Sequence, residues 1–212
     1  MPWTERVLRV SLPEAGEPVA TRGFGREAPY RTLSDAELWA VLLDHCERLT
    51  EIAAAATQDL PPQTEITWTG RTVTPSFFAE HMREELVLHR WDLTGDDSTA
   101  VRALSEAWMT EHSVTSVGRP LLARGSTALD LGPEGRVEGR LRTPGTDDIV
   151  VTADADGTGI AFAAPEGPAT IEGDAAVRLL LLWGRRPADP TRWHSGARPE
   201  ALRTVRTLLG GY

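Results

Sequence analysis

The sequence predicts an α+β protein in which an N-terminal helical bundle precedes a small α+β domain. Apolar residues recur at helical spacing through the first half of the chain. The composition changes near Gly125, where short β-prone stretches begin to alternate with Gly, Pro and Asp turns. Two further apolar helical patterns follow these stretches. We therefore predict a bundle over residues 1–122 and an α+β domain over residues 123–212.

The first helices are predicted from their end signals. Trp3–Val10 has the pattern of part of a helix, and the Pro- and Gly-rich stretch Leu12–Tyr30 is typical of a loop. Ser34–Glu37 is a capping box, in which a Ser and a Glu three residues apart cap a helix start. The apolar stripe after it predicts a helix to about Thr57.

A hairpin and two more helices are predicted next. Glu65–Thr74 alternates weakly around Gly70, which indicates a short hairpin. A helix is predicted over Ser76–Leu93. Gly95–Ser98 breaks that helix and caps another, which is predicted to continue to about Val117.

The second half predicts short strands and then helices. Glu172–Asp174 caps a strongly apolar helix over Ala175–Trp183, which Gly184 stops, and Arg198–Leu209 is predicted as a final amphipathic helix. The predicted strands are Ala128–Leu131, Gly139–Arg142, Asp148–Ala153 and Gly159–Ala164.

Charge and composition exclude several functions. The net charge of −9 argues against non-specific nucleic-acid binding, which needs a basic surface. All 22 basic residues are arginine, so neither a Schiff-base lysine nor a P-loop lysine is available. Arginine would instead meet the anionic groups of a substrate, and its fork of donors suits carboxylates.

We expect a cytoplasmic protein with no membrane partner. A membrane-spanning helix needs roughly 20 apolar residues, and no apolar run in the chain approaches that length. The N-terminus has no signal-peptide core. The single cysteine, Cys46, cannot form an internal disulfide, which fits a reducing compartment.

The helix over Ser76–Leu93 carries a candidate metal site. Glu85 and His89 are four residues apart, so they lie on one face of the helix, and His81 lies one turn before them. A carboxylate and an imidazole on one face can share a zinc ion, and we expect Glu85 and His89 to face the bundle interior. The alternative is a solvated Glu–His pair with no ligand.

Two motifs resemble the mycothiol-dependent maleylpyruvate isomerase family. The first is Glu-Leu-Val-Leu-His-Arg-Trp-Asp-Leu over Glu85–Leu93, and the second is the helix and turn over Gly173–Arg186. The resemblance covers roughly residues 33–195. It implies a damage-inducible-type (DinB-like) four-helix metal-binding bundle joined to a sterol-carrier-like domain. The lysine-free composition is compatible with the GC-rich actinobacteria that make mycothiol.

The resemblance also implies how zinc is held. Family members use the Glu and His of this helix, here Glu85 and His89, and a third His in a Gly-Trp-Thr-type motif that this sequence lacks. Met1–Arg9 looks like the second half of the helix that carries that motif. We therefore expect an N-terminally shortened member, incomplete or inactive as given, with an apolar groove that a homodimer would cover. His45 and His81 are interpreted as satisfied histidines, and the two other histidines, His112 and His194, are given no role.

The implied function is thiol activation. Zinc would hold mycothiol as a thiolate, and the thiolate would isomerise a cis double bond or be transferred to a small carboxylate-bearing substrate. Arg185 and Arg186 are candidate catalytic residues that would meet substrate carboxylates, although they could simply neutralise a helix C-terminus. Two alternatives stay open: a non-catalytic, metal-deficient relative that acts as a binding or regulatory protein, and a metal-dependent hydrolase on the same bundle.

Overall fold

The computed structural model describes residues 30–68, 71–132 and 135–211, and it is α+β as predicted. The chain divides into two compact units, residues 1–82 and 83–212. The predicted helix Trp3–Val10 and nearly all of the predicted loop Leu12–Tyr30 lie outside the described residues. The predicted division into residues 1–122 and 123–212 rests on composition rather than compactness, and it stays a prediction.

The first unit contains a long helix and a hairpin. Helix α1 spans Asp35–Asp59, and its capping box is formed as predicted, with the Ser34 backbone N–H donating to Glu37 Oε2 at 2.9 Å. Strands β1 (Ile66–Trp68) and β2 (Arg71–Val73) pair antiparallel, which confirms the hairpin. Their buried residues form the core of this unit with the start of helix α2. That core comprises Ile66, Val73 and Phe78.

Helix α2 spans Pro75–Thr94. Helix α3 (Ser98–Leu104) is capped by Asp97, whose Oδ1 accepts from the backbone N–H groups of Thr99 and Ala100. The sequence predicts that this helix continues to about Val117, but the structure ends it after Leu104. There the backbone N–H groups of Ser105 and Glu106 donate to carbonyls three residues earlier at 3.2 Å, which is the tighter spacing common in the last turn of a helix.

Three consecutive helical segments follow. Helix α4 spans Ala107–His112 and passes into one π-helical turn over Ser113–Val117. Helix α5 follows over Gly118–Ser126. No helix among the described residues has both the length and the apolar composition required to cross a bilayer.

A five-stranded mixed sheet forms the middle of the second unit. The strand order is β5-β4-β3-β6-β7, with β3 parallel to β6 and the other pairs antiparallel. The strands are β3 (Val137–Arg142), β4 (Asp148–Asp154), β5 (Gly157–Ala163), β6 (Ile171–Gly173) and β7 (Trp193–His194).

The strand predictions succeed for β3, β4 and β5 and fail elsewhere. Ala128–Leu131 is not a strand, because Ala128 and Leu129 donate back to the end of α5 at 3.1 and 3.0 Å and form turns. Strand β6 overlaps the segment that the sequence assigns to a helix cap, and β7 has only two residues. Such short strands exist because a neighbouring strand pairs with them, and they carry too little periodicity to be predicted.

The predicted apolar helix is confirmed as α6 (Ala175–Leu182), whose N-cap is Asp174. Every residue from Ala176 to Leu182 is buried, and so is Trp183, which ends the helix. The final helix, α7, spans Pro199–Leu209 and packs Val205, Leu208 and Leu209 into the core. The position of Trp183 at the end of α6 matters for the site described next.

Candidate metal centre

The buried face of α2 carries two polar residues that can bind a metal. Phe78, His81, Glu84 and Leu88 are exposed by 0%, 6%, 0% and 0%, respectively. Their spacings of three, three and four residues keep them on one side of a helix with 3.6 residues per turn. An imidazole and a carboxylate therefore face inward among apolar side chains.

His112, the last residue of α4, completes a group of three possible ligands. One nitrogen of His81, one oxygen of Glu84 and one nitrogen of His112 all lie within 4.8 Å of one another. His112 is 4% exposed, so all three side chains are buried. We call His81, Glu84 and His112 the inner cluster.

A hydrogen-bonded chain fixes the orientation of Glu84. The Ser113 hydroxyl donates to Glu84 Oε1 at 2.5 Å. Trp183 Nε1–H in turn donates to that hydroxyl at 2.9 Å. With Oε1 held by Ser113, the other oxygen, Oε2, lies 3.5 Å from His112 Nε2. Metal-binding carboxylates are commonly oriented by this kind of second hydrogen bond.

The backbone and a neighbouring ring also position the two histidines. The ring of His81 stacks on that of Phe77, with centroids 5.4 Å apart and planes inclined by 27°. His112 lies where α4 passes into the π-helical turn, so Ser113 follows it directly at the site. Single π turns inside helices recur at functional sites.

The donor set matches that of a zinc enzyme site. Two imidazoles and one carboxylate hold catalytic zinc in some metalloproteases. Two donors at about 2.1 Å from one tetrahedral zinc lie roughly 3.4 Å apart, and the separation of Glu84 Oε2 and His112 Nε2 is 3.5 Å. The spacing of Glu84 and His112 is therefore that of two ligands of one zinc ion, and His81 supplies the third donor of the set.

The structure brings the predicted ligands Glu85 and His89 together, but not in the interior. His89 Nε2 lies 3.4 Å from Glu85 Oε2, and His89 Nδ1 lies 2.9 Å from Asp92 Oδ2. The side chain of His89 is 60% exposed and that of Glu85 is 21% exposed. The expectation that both residues face the bundle interior therefore fails for His89, and their assignment as metal ligands stays a prediction.

The geometry of the helix explains why His89 does not face the interior. Four residues turn an α-helix through about 400°, so each step of four overshoots one full turn by about 40°. A series that starts at His81 has rotated by about 80° when it reaches His89. The buried face instead alternates steps of three and four, and so it passes through Glu84 and Leu88.

Arg185 joins this second group, which we call the outer cluster: Glu85, His89, Asp92 and Arg185. Arg185 donates from Nε and Nη2 to the two carboxylate oxygens of Asp92 at 2.8 and 2.7 Å. This hydrogen bonding to Arg185 is the main cause that holds the pKa of Asp92 below its ordinary value, although burial acts against it. Arg186, in contrast, is exposed and lines a cleft. The catalytic roles of Arg185 and Arg186 stay predictions.

Sequence reasoning missed Glu84 and His112 as candidate ligands. The spacing of His81 and Glu84, three residues apart on one helix, was an available signal, since the same spacing occurs in metal-binding bundles. No comparable signal existed for His112, because it comes from a different helix. Only the fold brings it to Glu84.

Comparisons with known proteins identify no relative. No protein-family model, no curated protein and no solved structure matches this chain. What the fold and the site define is therefore an α+β protein with a buried group of three possible metal ligands. The resemblance to the maleylpyruvate isomerase family stays a prediction from two motifs.

Proposed function

We propose that the inner cluster binds a divalent cation, zinc, and that the protein is a metal-dependent enzyme. The observation that carries this proposal is the convergence of His81, Glu84 and His112, with their ligand atoms within 4.8 Å of one another. All three side chains are buried, and the Ser113 hydroxyl donates a hydrogen bond to Glu84. Burying an ionised carboxylate there has a high free-energy cost unless positive charge or hydrogen bonds compensate for it, and a cation supplies that charge.

The reaction in this proposal is the one that the family resemblance implies. Bound zinc lowers the pKa of a thiol and holds it as a thiolate. The cosubstrate would be mycothiol, whose thiolate would add to a cis double bond and place the electron pair on the neighbouring carbonyl group. Rotation about the resulting single bond would follow, and return of the electron pair would expel the thiolate and form the trans double bond. In the transferase alternative the thiolate would displace a leaving group from the substrate. The chain belongs, in this proposal, to the maleylpyruvate isomerase family of isomerases and thiol S-transferases, with a DinB-like bundle and a sterol-carrier-like domain.

The inner cluster and its neighbour Ser113 would have different roles in this reaction. His81, Glu84 and His112 hold the ion, and three protein ligands leave a fourth position on zinc for the thiol. Ser113 keeps Glu84 in place through the 2.5 Å hydrogen bond. We also propose a cytoplasmic location, in which Cys46, a free cysteine in the structure, stays reduced.

A second candidate is a non-catalytic binding or regulatory protein. The burial of the inner cluster favours it, because His81, Glu84 and His112 are exposed by only 6%, 0% and 4%. Structural metal sites are closed, whereas catalytic sites keep a position open to substrate. Whether a small thiol reaches the ion therefore separates the two candidates.

Cobalt substitution tests both candidates in one experiment. Cobalt(II) in a tetrahedral zinc site has strong visible absorption, and a coordinated thiolate adds a sulfur-to-metal charge-transfer band. We expect one cobalt per chain and a new charge-transfer band when mycothiol is added. His112→Gln should lose the visible spectrum, whereas His194→Gln should keep it, because His194 is 73% exposed and outside the cluster.

Each outcome decides one point. Cobalt binding with no charge-transfer band would overturn the thiol chemistry and leave the non-catalytic candidate. The absence of any cobalt spectrum in the folded wild-type protein would overturn the metal proposal itself. Should His112→Gln fail to fold, Ser113→Ala is the second variant, and a shifted cobalt spectrum is expected because Ser113 orients Glu84.

A further inference from the structure

A cleft near the C-terminal ends of α6 and α7 collects arginines within the second unit. Its volume is about 320 Å³, the lower end of the range for small-molecule sites. Leu181 and Leu209 give it a buried apolar part. Its cationic lining consists of Arg185, Arg186, Arg203 and Arg206. Four arginines around one cleft stand out in a chain whose net charge is −9.

Two of these arginines already have acidic partners. Arg185 is engaged by Asp92 at 2.7 Å, and Arg203 pairs with Glu200 at 3.1 Å in an exposed contact. Within the described ranges, neither Arg186 nor Arg206 has a carboxylate within 4.0 Å. Burial and then the nearby charge of Arg186 lower the pKa of Arg206, so the two guanidinium groups repel each other.

The negatively charged C-terminal ends of α6 and α7 neutralise only part of this positive charge. A helix C-terminus carries the equivalent of about −0.5 charge, so the ends of α6 and α7 together supply about −1. Arg186 and Arg206 supply two positive charges, and the cleft therefore retains an excess of about one. An anion in the cleft would relieve the repulsion between the two arginines.

We propose that this cleft binds a small organic acid through a carboxylate held by Arg186 and Arg206. The planar guanidinium fork pairs with a carboxylate through two parallel hydrogen bonds, and the side chains of Leu181 and Leu209 give the carbon skeleton an apolar contact. This site gives Arg186 the carboxylate-binding role that the sequence predicts for it and adds Arg206 as its partner. It does not depend on a metal, so binding to the metal-free protein tests it independently of the inner cluster.

Calorimetric titration of the metal-free protein with succinate tests the proposal. Acetate and inorganic phosphate serve as further probes, and sodium chloride at equal ionic strength corrects for screening. Because it removes the charge-assisted hydrogen bonds to the carboxylate, the double variant Arg186→Gln/Arg206→Gln should weaken succinate binding at least about tenfold. The control Arg102→Gln/Arg119→Gln removes the same charge at two exposed positions outside the cleft, and we expect it to bind succinate as the wild type does.

The alternative outcomes overturn specific parts of the proposal. An equal loss in the control would show that net charge, rather than the cleft, attracts succinate. Phosphate binding without succinate binding would overturn the carboxylate assignment. Wild-type protein that gives no succinate signal above the chloride control would overturn the site altogether. Circular dichroism spectra of all variants show whether a loss comes from unfolding.

Discussion

Adjacent residues of one helix end in opposite environments. Glu84 is fully buried in the inner cluster, whereas the side chain of Glu85 is 21% exposed in the outer cluster. The histidines differ more, since His112 is 4% exposed and the side chain of His89 is 60% exposed. Both clusters combine carboxylate with imidazole, so the presence of these groups alone does not distinguish them. Their positions on the helix do.

The difference in burial changes what each cluster contributes. Water screens the charges of the outer cluster, so its ion pairs add little to stability. Charges of the inner cluster act in a medium of lower effective dielectric, where their interactions are stronger. A polar group without a partner also has a higher free-energy cost there. We therefore expect substitutions in the inner cluster to have the larger effects on stability and on metal binding.

The largest expected effect separates the two neighbouring glutamates. Glu84→Ala removes a fully buried carboxylate and leaves the Ser113 hydroxyl without its acceptor, which should lower the free energy of unfolding by up to about 3 kcal/mol. Glu85→Ala should lower it by less than about 1 kcal/mol, since the pair it forms is partly exposed. Urea unfolding of the variants in the presence of zinc measures both values. Equal losses of unfolding free energy in the two variants would contradict the difference between the two clusters.

The next largest expected effect is on zinc affinity, and it comes from the hydrogen bonds that connect Trp183, Ser113 and Glu84. Ser113→Ala removes the group that receives the Trp183 N–H and donates to Glu84. Loss of such supporting hydrogen bonds usually weakens metal affinity about 10–100-fold, and competition with a zinc chelator measures it. Ser116→Ala, at an exposed position in the same π-helical turn, is the matched control and should bind zinc normally. An unchanged affinity in Ser113→Ala would remove Ser113 from the site.

The smallest expected effect is a pH-dependent change in stability that comes from the Asp92–Arg185 pair of the outer cluster. Hydrogen bonds from Arg185 lower the pKa of Asp92 from an ordinary value near 3.9. The pair therefore stabilises the fold above about pH 4, and this contribution is lost as the pH falls through the lowered pKa. At pH 7 it amounts to roughly 0.2–1 kcal/mol. In Arg185→Gln the pKa of Asp92 should rise, which a carboxyl ¹³C NMR titration detects, while zinc affinity should not change.

The sequence predicted the regular elements of the fold well. The caps at Ser34, Asp97 and Asp174 mark helix starts that the structure confirms, because each side chain accepts from backbone N–H groups that no helical carbonyl can reach. Strands β3, β4 and β5 were also predicted. The two-residue strand β7 was not, because long-range pairing with β6, rather than local pattern, defines it.

The candidate site was predicted only in part. The sequence pointed to the correct helix and to the chemistry of a carboxylate with imidazole, but it selected Glu85 and His89 from a strict spacing of four. The periodicity of 3.6 places Glu84 and Leu88 on the buried face instead. His112 and Trp183 reach Glu84 and Ser113 only through tertiary packing, which local spacing does not contain.

The central claim is that the inner cluster, and not the outer one, holds the metal. Zinc content per chain, measured on purified protein after dialysis, tests it directly in the wild type, in His112→Gln and in His89→Gln. We predict one zinc in the wild type and in His89→Gln, and a loss of zinc in His112→Gln with the fold retained by circular dichroism. Loss of zinc in His89→Gln with full occupancy in His112→Gln would contradict the account and assign the metal to Glu85 and His89.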